Sequence, residues 1–236
     1  MPELPEVETI RRQLEPQLSG RAIREVDTHW SAKFTPGLDA AGATITGIDR
    51  RGKYLMFVLD DERELIAHLG MTGQFHISDR TSEPTEISRF GTHVRALWRL
   101  DDGRHLIFRD VRRFGRLHIV AAGDYSEIAT LHHMGPEPLT DEFTGAQLHK
   151  ALSKSKRMVK TQLLSQRPVA GVGNIYADEA LFAARINPQA TRVGPDRCEA
   201  LAESIKAVLH AGIANGGTTL RDYCLLYTSP SPRDRG

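Results

Sequence analysis

The 236-residue chain has only two cysteines, and no stretch approaches the roughly eighteen consecutive apolar residues of a membrane span. Cys198 and Cys224 make neither a disulfide framework nor the paired Cys-x2-Cys spacing of a zinc site. A reduced, cytoplasmic setting and no metal in this chain are therefore expected. Acids and prolines stand at the N-terminus where a secretory signal would need basic and apolar residues, so no export signal is read there. There is no internal repeat, which excludes a solenoid. Net charge is only +1, which rules out a uniformly basic or acidic chain.

Hydrophobic residues at 40% and charged residues at 26% are ordinary for a globular protein. The length suits one large domain or two ordinary ones. The charge is unevenly spread. Residues 150–192 carry eight lysines and arginines against two acids, and the stretch from Arg104 to Arg116 sets five arginines against Asp110. Two basic patches on a nearly neutral chain fit either two solvated faces or an anionic polymer held at one place.

Periodicity divides the chain. Leu4, Val7, Ile10 and Leu14 predict a helix over 4–15, with Pro5 in its first turn and Pro16 as its stop. From 22 to 120 short alternating runs, among them "AIREVDTHW" and "THVRALWRL", predict antiparallel strands broken at "DDE" and "DDG". After "AAGD" the period turns helical, with Thr144, Asn174 and Asp196 as candidate helix starts and Gly216-Gly217 as a stop. The expected class is α+β: a β-sandwich domain with an N-terminal helix (1–120), a linker (121–133) and a helical domain (134–223). The remainder, 224–236, is Pro- and Ser-rich without periodicity and reads as a non-native tail.

Chemistry concentrates in a few stretches. "MPELPEVE" places Pro2 where removal of Met1 leaves a free secondary amine, and an α-amine titrates near 7.7–8.0, so part of it is nucleophilic at neutral pH. Such an amine attacking a sugar carbon forms an iminium, an electron sink. Glu3 and Glu6 stand within one turn as proton donors or acceptors, unless all three residues only open the helix and complement its dipole. Lys53 in "RRGKYL" is either an alternating surface lysine of a strand or a general acid beside the amine.

In "HLGMTG", Met71 between glycines either fills a gap in the core or wedges into stacked bases. "RDVRRFG" offers Arg112 and Arg113 for phosphate and Phe114 for stacking. Two wedge loops suggest extrusion of a nucleotide from a duplex. In "KSKRMVKTQLLSQRPVAGVGNIYADEALF" a basic helix and a Gly-rich turn precede a helix whose N-terminus, capped by Asn174, could hold a phosphate.

The motifs "MPELPEVETIRR", "HLGMTG", "RDVRRFG", "MGPEPL", "GVGNIYADEALF" and "GGTTLRDY", in this order, make the chain resemble the formamidopyrimidine-DNA glycosylases. The resemblance covers about 1–223. It implies base excision repair of duplex DNA by a monomer that removes oxidised purines and cleaves the abasic strand. Pro2 would be the Schiff-base nucleophile, Glu3 a proton donor and Lys53 the proton donor for β-elimination. Met71, Arg112 and Phe114 would fill the gap left by the extruded nucleotide. Arg157, Lys160, Asn174 and Tyr176 would grip phosphate, and Gly217, Thr218, Thr219, Leu220, Arg221 and Tyr223 would begin the loop around the damaged base.

The chain departs from the pattern at Gly91, where relatives carry the first histidine of a pair that ends in His93. Relatives also end in a four-cysteine zinc finger whose arginine serves δ-elimination; its cysteines are absent, so zinc and δ-elimination are not expected here. The resemblance thus reads as one to a C-terminally truncated member, and the alternatives are the related glycosylases for oxidised pyrimidines and a DNA-binding but inactive truncated fragment.

Overall fold

The computed structural model describes residues 1–78 and 91–217. Eight antiparallel strands follow the first helix, α1 (Leu4–Leu18). They are β1 (Arg21–Thr28), β2 (Thr44–Arg51), β3 (Tyr54–Leu59), β4 (Arg63–His68), β5 (Gly73–Ile77), β6 (Val94–Leu100), β7 (His105–Asp110) and β8 (Arg116–Ala121). Their spatial order is β5-β7-β6-β1-β2-β3-β4-β8. A register shift between Ile23 and Glu25 lets β1 pair with β2 at one end and β6 along the rest, so the sheet folds over on β1. The two inner faces meet: Ile45, Leu55, Phe57 and Leu65 from one half pack with Phe75, Trp98, Leu106 and Phe108 from the other. Val7, Ile10, Leu14 and Leu18 of α1 complete the same core.

Pro16 does not stop α1, which runs to Leu18. Leu18 is wholly buried, and its packing outweighs the hydrogen bond that proline cannot make. The chain turns only at Gly20, whose φ is +80°. Several long sequence runs prove to be strand pairs. The run 43–59 bends at Gly52-Lys53, 64–77 crosses over at 69–72, and 105–120 crosses back at 111–115.

The helical part comprises α2 (Ala129–His132), α3 (Gly145–Leu152), α4 (Val159–Leu164), α5 (Asn174–Ala183) and α6 (Pro195–Ala214). Thr144 caps α3 by accepting the Gln147 N–H. Gly194, not Asp196, caps α6, and Asp196 sits in its first turn, where a negative charge complements the dipole. The core of this part gathers Phe143, Leu163, Val172, Leu181 and Leu201, and also Leu4 of α1, so the first helix belongs to both hydrophobic cores. The linker is not a loose tether: Ile128, Leu131 and Met134 pack on Tyr54, Met56 and Ile66, on the outer face of the sheet. Among the described residues no helix is long and apolar enough to cross a membrane.

Candidate active site

The start of α1 is pinned between the two cores. The Leu4 N–H donates to the Gly171 carbonyl at 3.1 Å. The Glu3 carboxylate, 2% exposed, accepts three backbone N–H groups: Gly173 at 2.7 Å, Ile175 at 2.9 Å and Tyr176 at 3.3 Å. Glu3 therefore occupies the N-terminus of α5 and neutralises its dipole from another part of the chain. This corrects one expectation: Gly173, not Asn174, is the cap residue of α5, and Glu3 supplies the acceptor there. Asn174 is left with an exposed side chain. Gly173 has no alternative, because a Cβ there would stand 2.3 Å from the Glu3 carboxyl carbon.

Glu6 is equally buried. Its Oε2 accepts the Glu3 N–H at 2.9 Å and its Oε1 accepts the Tyr176 hydroxyl at 3.0 Å. Tyr176 thus turns its hydroxyl to Glu6, and its ring packs in the helical core. Gly217, φ +90°, passes so close that a Cβ would lie 2.8 Å from Glu6 Oε1. Pro2 is half-buried above these carboxylates and Met1 is exposed. Thr218, Thr219, Leu220, Arg221 and Tyr223 lie outside the described residues, as does the tail 224–236.

Lys53 lies not in a strand but in the two-residue turn from β2 to β3, beside Gly52 with φ +56°. Its side chain is 5% exposed. Burial holds its pKa below the ordinary lysine value, and the negative charges of Glu3 and Glu6 partly offset that. A buried ammonium facing two buried carboxylates, with its pKa displaced, marks a candidate functional site. Tyr54, the next residue, pairs with His68, which pairs with Arg116, so these positions share one end of the sandwich. Burial, with the charges of Lys53, Arg116 and His118, pushes His68 down to about 4. A neutral imidazole at that point accepts the Gly70 N–H through Nδ1.

The two candidate wedge loops leave the same end. Residues 69–72 carry the chain from β4 to β5, and 111–115 carry it back from β7 to β8; because β4 pairs with β8 and β5 with β7, the loops run side by side. Met71 is 42% exposed and Phe114 47% exposed. The Arg112 guanidinium lies over the Phe114 ring at 4.9 Å. Arg113 is exposed with φ +57°, and its carbonyl accepts from Lys33 Nζ. His93 is half-buried nearby, its carbonyl accepting the Asp110 N–H.

On the helical side Arg157 is exposed, and with His133, Lys154 and Arg167 it lines a groove of about 840 Å³ that has no acidic residue in its wall. Lys160 pairs with Asp178 at 2.7 Å at the surface.

Sequence reasoning passed over three residues that hold this site. Asp110, the lone acid in the arginine-rich stretch, is wholly buried and bonds to both wedge loops. Glu137 of "MGPEPL" accepts the Gly52 N–H at 2.6 Å and pairs with Arg50 and Arg51, tying the helical domain to the turn that bears Lys53. Glu8 receives Arg11, Arg12 and Arg50; burial would raise its pKa, yet the hydrogen bonds from Arg11 and Arg12 and the surrounding charge bring it down to about 2. For Asp110 and Glu8 the signal was available as an acid beside arginines, whereas Glu137 has none near it in sequence and meets Arg50 and Arg51 only through the fold. A four-cysteine zinc site does not fit this chain: Cys198 is buried, its thiol on the Val193 carbonyl, and one further cysteine cannot complete the ligand set.

Known proteins share this architecture. The family model of the formamidopyrimidine-DNA glycosylase N-terminal domain matches residues 1–117, and that of the formamidopyrimidine-DNA glycosylase H2TH domain matches 134–224. The formamidopyrimidine-DNA glycosylase of Deinococcus radiodurans is 44% identical over 229 residues, covering 93% of this chain and 78% of the relative. The crystal structure of MutM (Fpg) from Thermus thermophilus superposes with a TM-score of 0.83 at 45% identity, over 94% of this chain and 79% of that one. Lactococcus lactis Fpg in complex with Fapy-dG-containing DNA gives 0.81 at 34% identity, over 92% and 82%. With its sandwich, its helical module and its pinned N-terminus, the chain belongs to the formamidopyrimidine-DNA glycosylase family.

Proposed function

We propose that this DNA glycosylase removes oxidised purines from duplex DNA and then cleaves the abasic strand, with Pro2 of the Met1-processed chain as nucleophile. The observation that carries the reading is the buried Lys53 ammonium facing Glu3 and Glu6 beneath the N-terminus, at the end of the sandwich from which two exposed wedge tips project. The L. lactis relative in complex with Fapy-dG-containing DNA supports the substrate class.

The neutral pyrrolidine nitrogen attacks C1′ of the damaged nucleoside. The C1′–N9 bond breaks and the departing base anion takes up a proton from solvent. The N–H proton of the resulting adduct passes to the Glu3 carboxylate, which hands it to O4′ as the C1′–O4′ bond opens. The product is an iminium between Pro2 and C1′, with no N–H left to lose. It acidifies C2′; the Glu3 carboxylate, free again after the transfer to O4′, takes that proton, the C3′–O bond breaks and the 3′-phosphate leaves by β-elimination, with Lys53 as the nearby proton donor to the leaving oxygen. Glu3 and Glu6 lie as counter-charges beside the cation in a site shielded from water. The proposal extends to β-elimination only.

The test compares duplexes carrying 8-oxoguanine, thymine glycol or an abasic site. Release of 8-oxoguanine and nicking at the abasic site are expected, both lost when a tag blocks the terminus. Binding without excision would make the chain a binding module, and preference for thymine glycol would assign it to oxidised pyrimidines.

A further inference from the structure

We propose that Thr72 and Asp110 lock the two wedge loops into a single unit, so that Met71 and Phe114 enter a duplex together rather than independently. The inference rests on the reading of the chain as a DNA glycosylase and concerns how that site is positioned.

The lock follows from register. Gly73 pairs with Asp110 at the last rung between β5 and β7, which sets Thr72 directly beside the Asp110 side chain. The Thr72 hydroxyl donates to Asp110 Oδ1 at 2.6 Å and accepts the Arg112 N–H at 3.0 Å. The other oxygen, Oδ2, accepts the Gly115 N–H at 2.7 Å. One hydroxyl and one carboxylate thus hold both loops, on either side of the residues that project. Asp110 is itself held from behind: buried Arg95 donates through Nε to its carbonyl at 2.9 Å.

The backbones also leave no slack. Gly70 has φ +63°, and a Cβ there would lie 2.5 Å from the Phe114 carbonyl carbon. A Cβ on Gly115 would lie 2.8 Å from the Phe108 ring and 3.0 Å from Asp110 Oδ2. Two loops in contact through backbone and cross-linked through a buried carboxylate have no room to move separately. A wedge must be rigid to unstack bases, because each freely moving tip would lose ordering entropy on insertion. Thr72 and Asp110 touch no substrate in this scheme; they are positioning residues.

The near-isosteric Thr72→Val removes both hydrogen bonds, and Thr72→Ser keeps them. The experiment is a double-mutant cycle between Met71→Ala and Phe114→Ala, in the parent and in the Thr72→Val background. It is read as single-turnover excision of 8-oxoguanine and as fluorescence of a 2-aminopurine beside the lesion, which reports unstacking without requiring chemistry. In the parent the two alanine effects should be strongly non-additive, the double variant resembling either single one. In Thr72→Val they should become independent. Thr72→Val alone should slow excision about tenfold, the order expected for hydrogen bonds to a charged group, with substrate affinity little changed and recovery in Thr72→Ser. Asp110→Asn, which keeps the shape but replaces one of the two acceptor oxygens with an NH2 donor, should give the same pattern. Additive alanine effects in the parent, or a Thr72→Val protein with parental excision and unstacking, would overturn the proposal. If the parent unstacks 2-aminopurine non-additively but excises nothing, the lock stands and the glycosylase reading fails.

Discussion

Replacing Glu3 with alanine removes the acceptor of three N–H groups at the start of α5, and the consequence can be sized. Two of the bonds, at 2.7 and 2.9 Å, have good hydrogen-bonding distances, and the third is longer at 3.3 Å. Losing a helix cap costs about 1 kcal/mol. A buried N–H left without a partner costs about 1–3 kcal/mol, and the Gly173 N–H is fully buried. Part of the loss is recovered where water reaches Ile175, which is only half-buried. The sum is about 3 kcal/mol of stability. For a protein of this size each kcal/mol shifts the midpoint by about 2–4 °C, so thermal unfolding followed by circular dichroism should drop by about 6–12 °C. Glu3→Gln retains one acceptor oxygen and should lose about half as much. A midpoint for Glu3→Ala within about 1 °C of the parent would refute the claim that this carboxylate holds the helical domain against α1.

Lys53→Met should abolish strand cleavage, and a variant that still nicks an abasic duplex would contradict its role; burial holds the Lys53 pKa in the folded chain below its unfolded value. The same sign means the parent should gain stability as pH rises toward the ordinary lysine range, a gain that Lys53→Met should lack in pH-dependent unfolding. Glu8 has the opposite sign: its pKa is lowered from 4.5 to about 2, so its contribution is complete above about pH 5 and fades toward pH 2. Denaturant curves of Glu8→Gln should therefore converge on the parent as pH falls through that window. Arg157→Ala should weaken binding alike on all sequences and flatten the plot of log affinity against log salt by about one unit, as for one lost phosphate contact. An unchanged slope would remove Arg157 from the DNA-facing surface.

Much of the fold was legible because burial follows simple periods. The strand run 94–100 and the helical runs at 145–152 and 174–183 repeat their apolar residues where the elements lie. Residues whose partners are distant in sequence were harder to read. Lys53 looks like one position in a continuous strand, and only a paired register reveals the turn that displays it. Asn174 has the chemistry of a helix cap, but a local rule cannot know that Glu3, far away in the chain, arrives first. The contact of the Tyr176 hydroxyl with Glu6 is likewise set by the fold and announced by no local pattern. The wedge loops were visible as glycine-flanked motifs, whereas their coupling through Asp110 depends on the pairing of β5 with β7.

The central claim is that the reacting nitrogen belongs to residue 2. Reducing the complex of the processed protein with an abasic duplex by borohydride, then mapping the adduct by peptide mass spectrometry, tests it most directly. The expected result is a single sugar adduct on the N-terminal peptide at Pro2. An adduct on Lys53 or any other lysine, with Pro2 unmodified, would contradict the account.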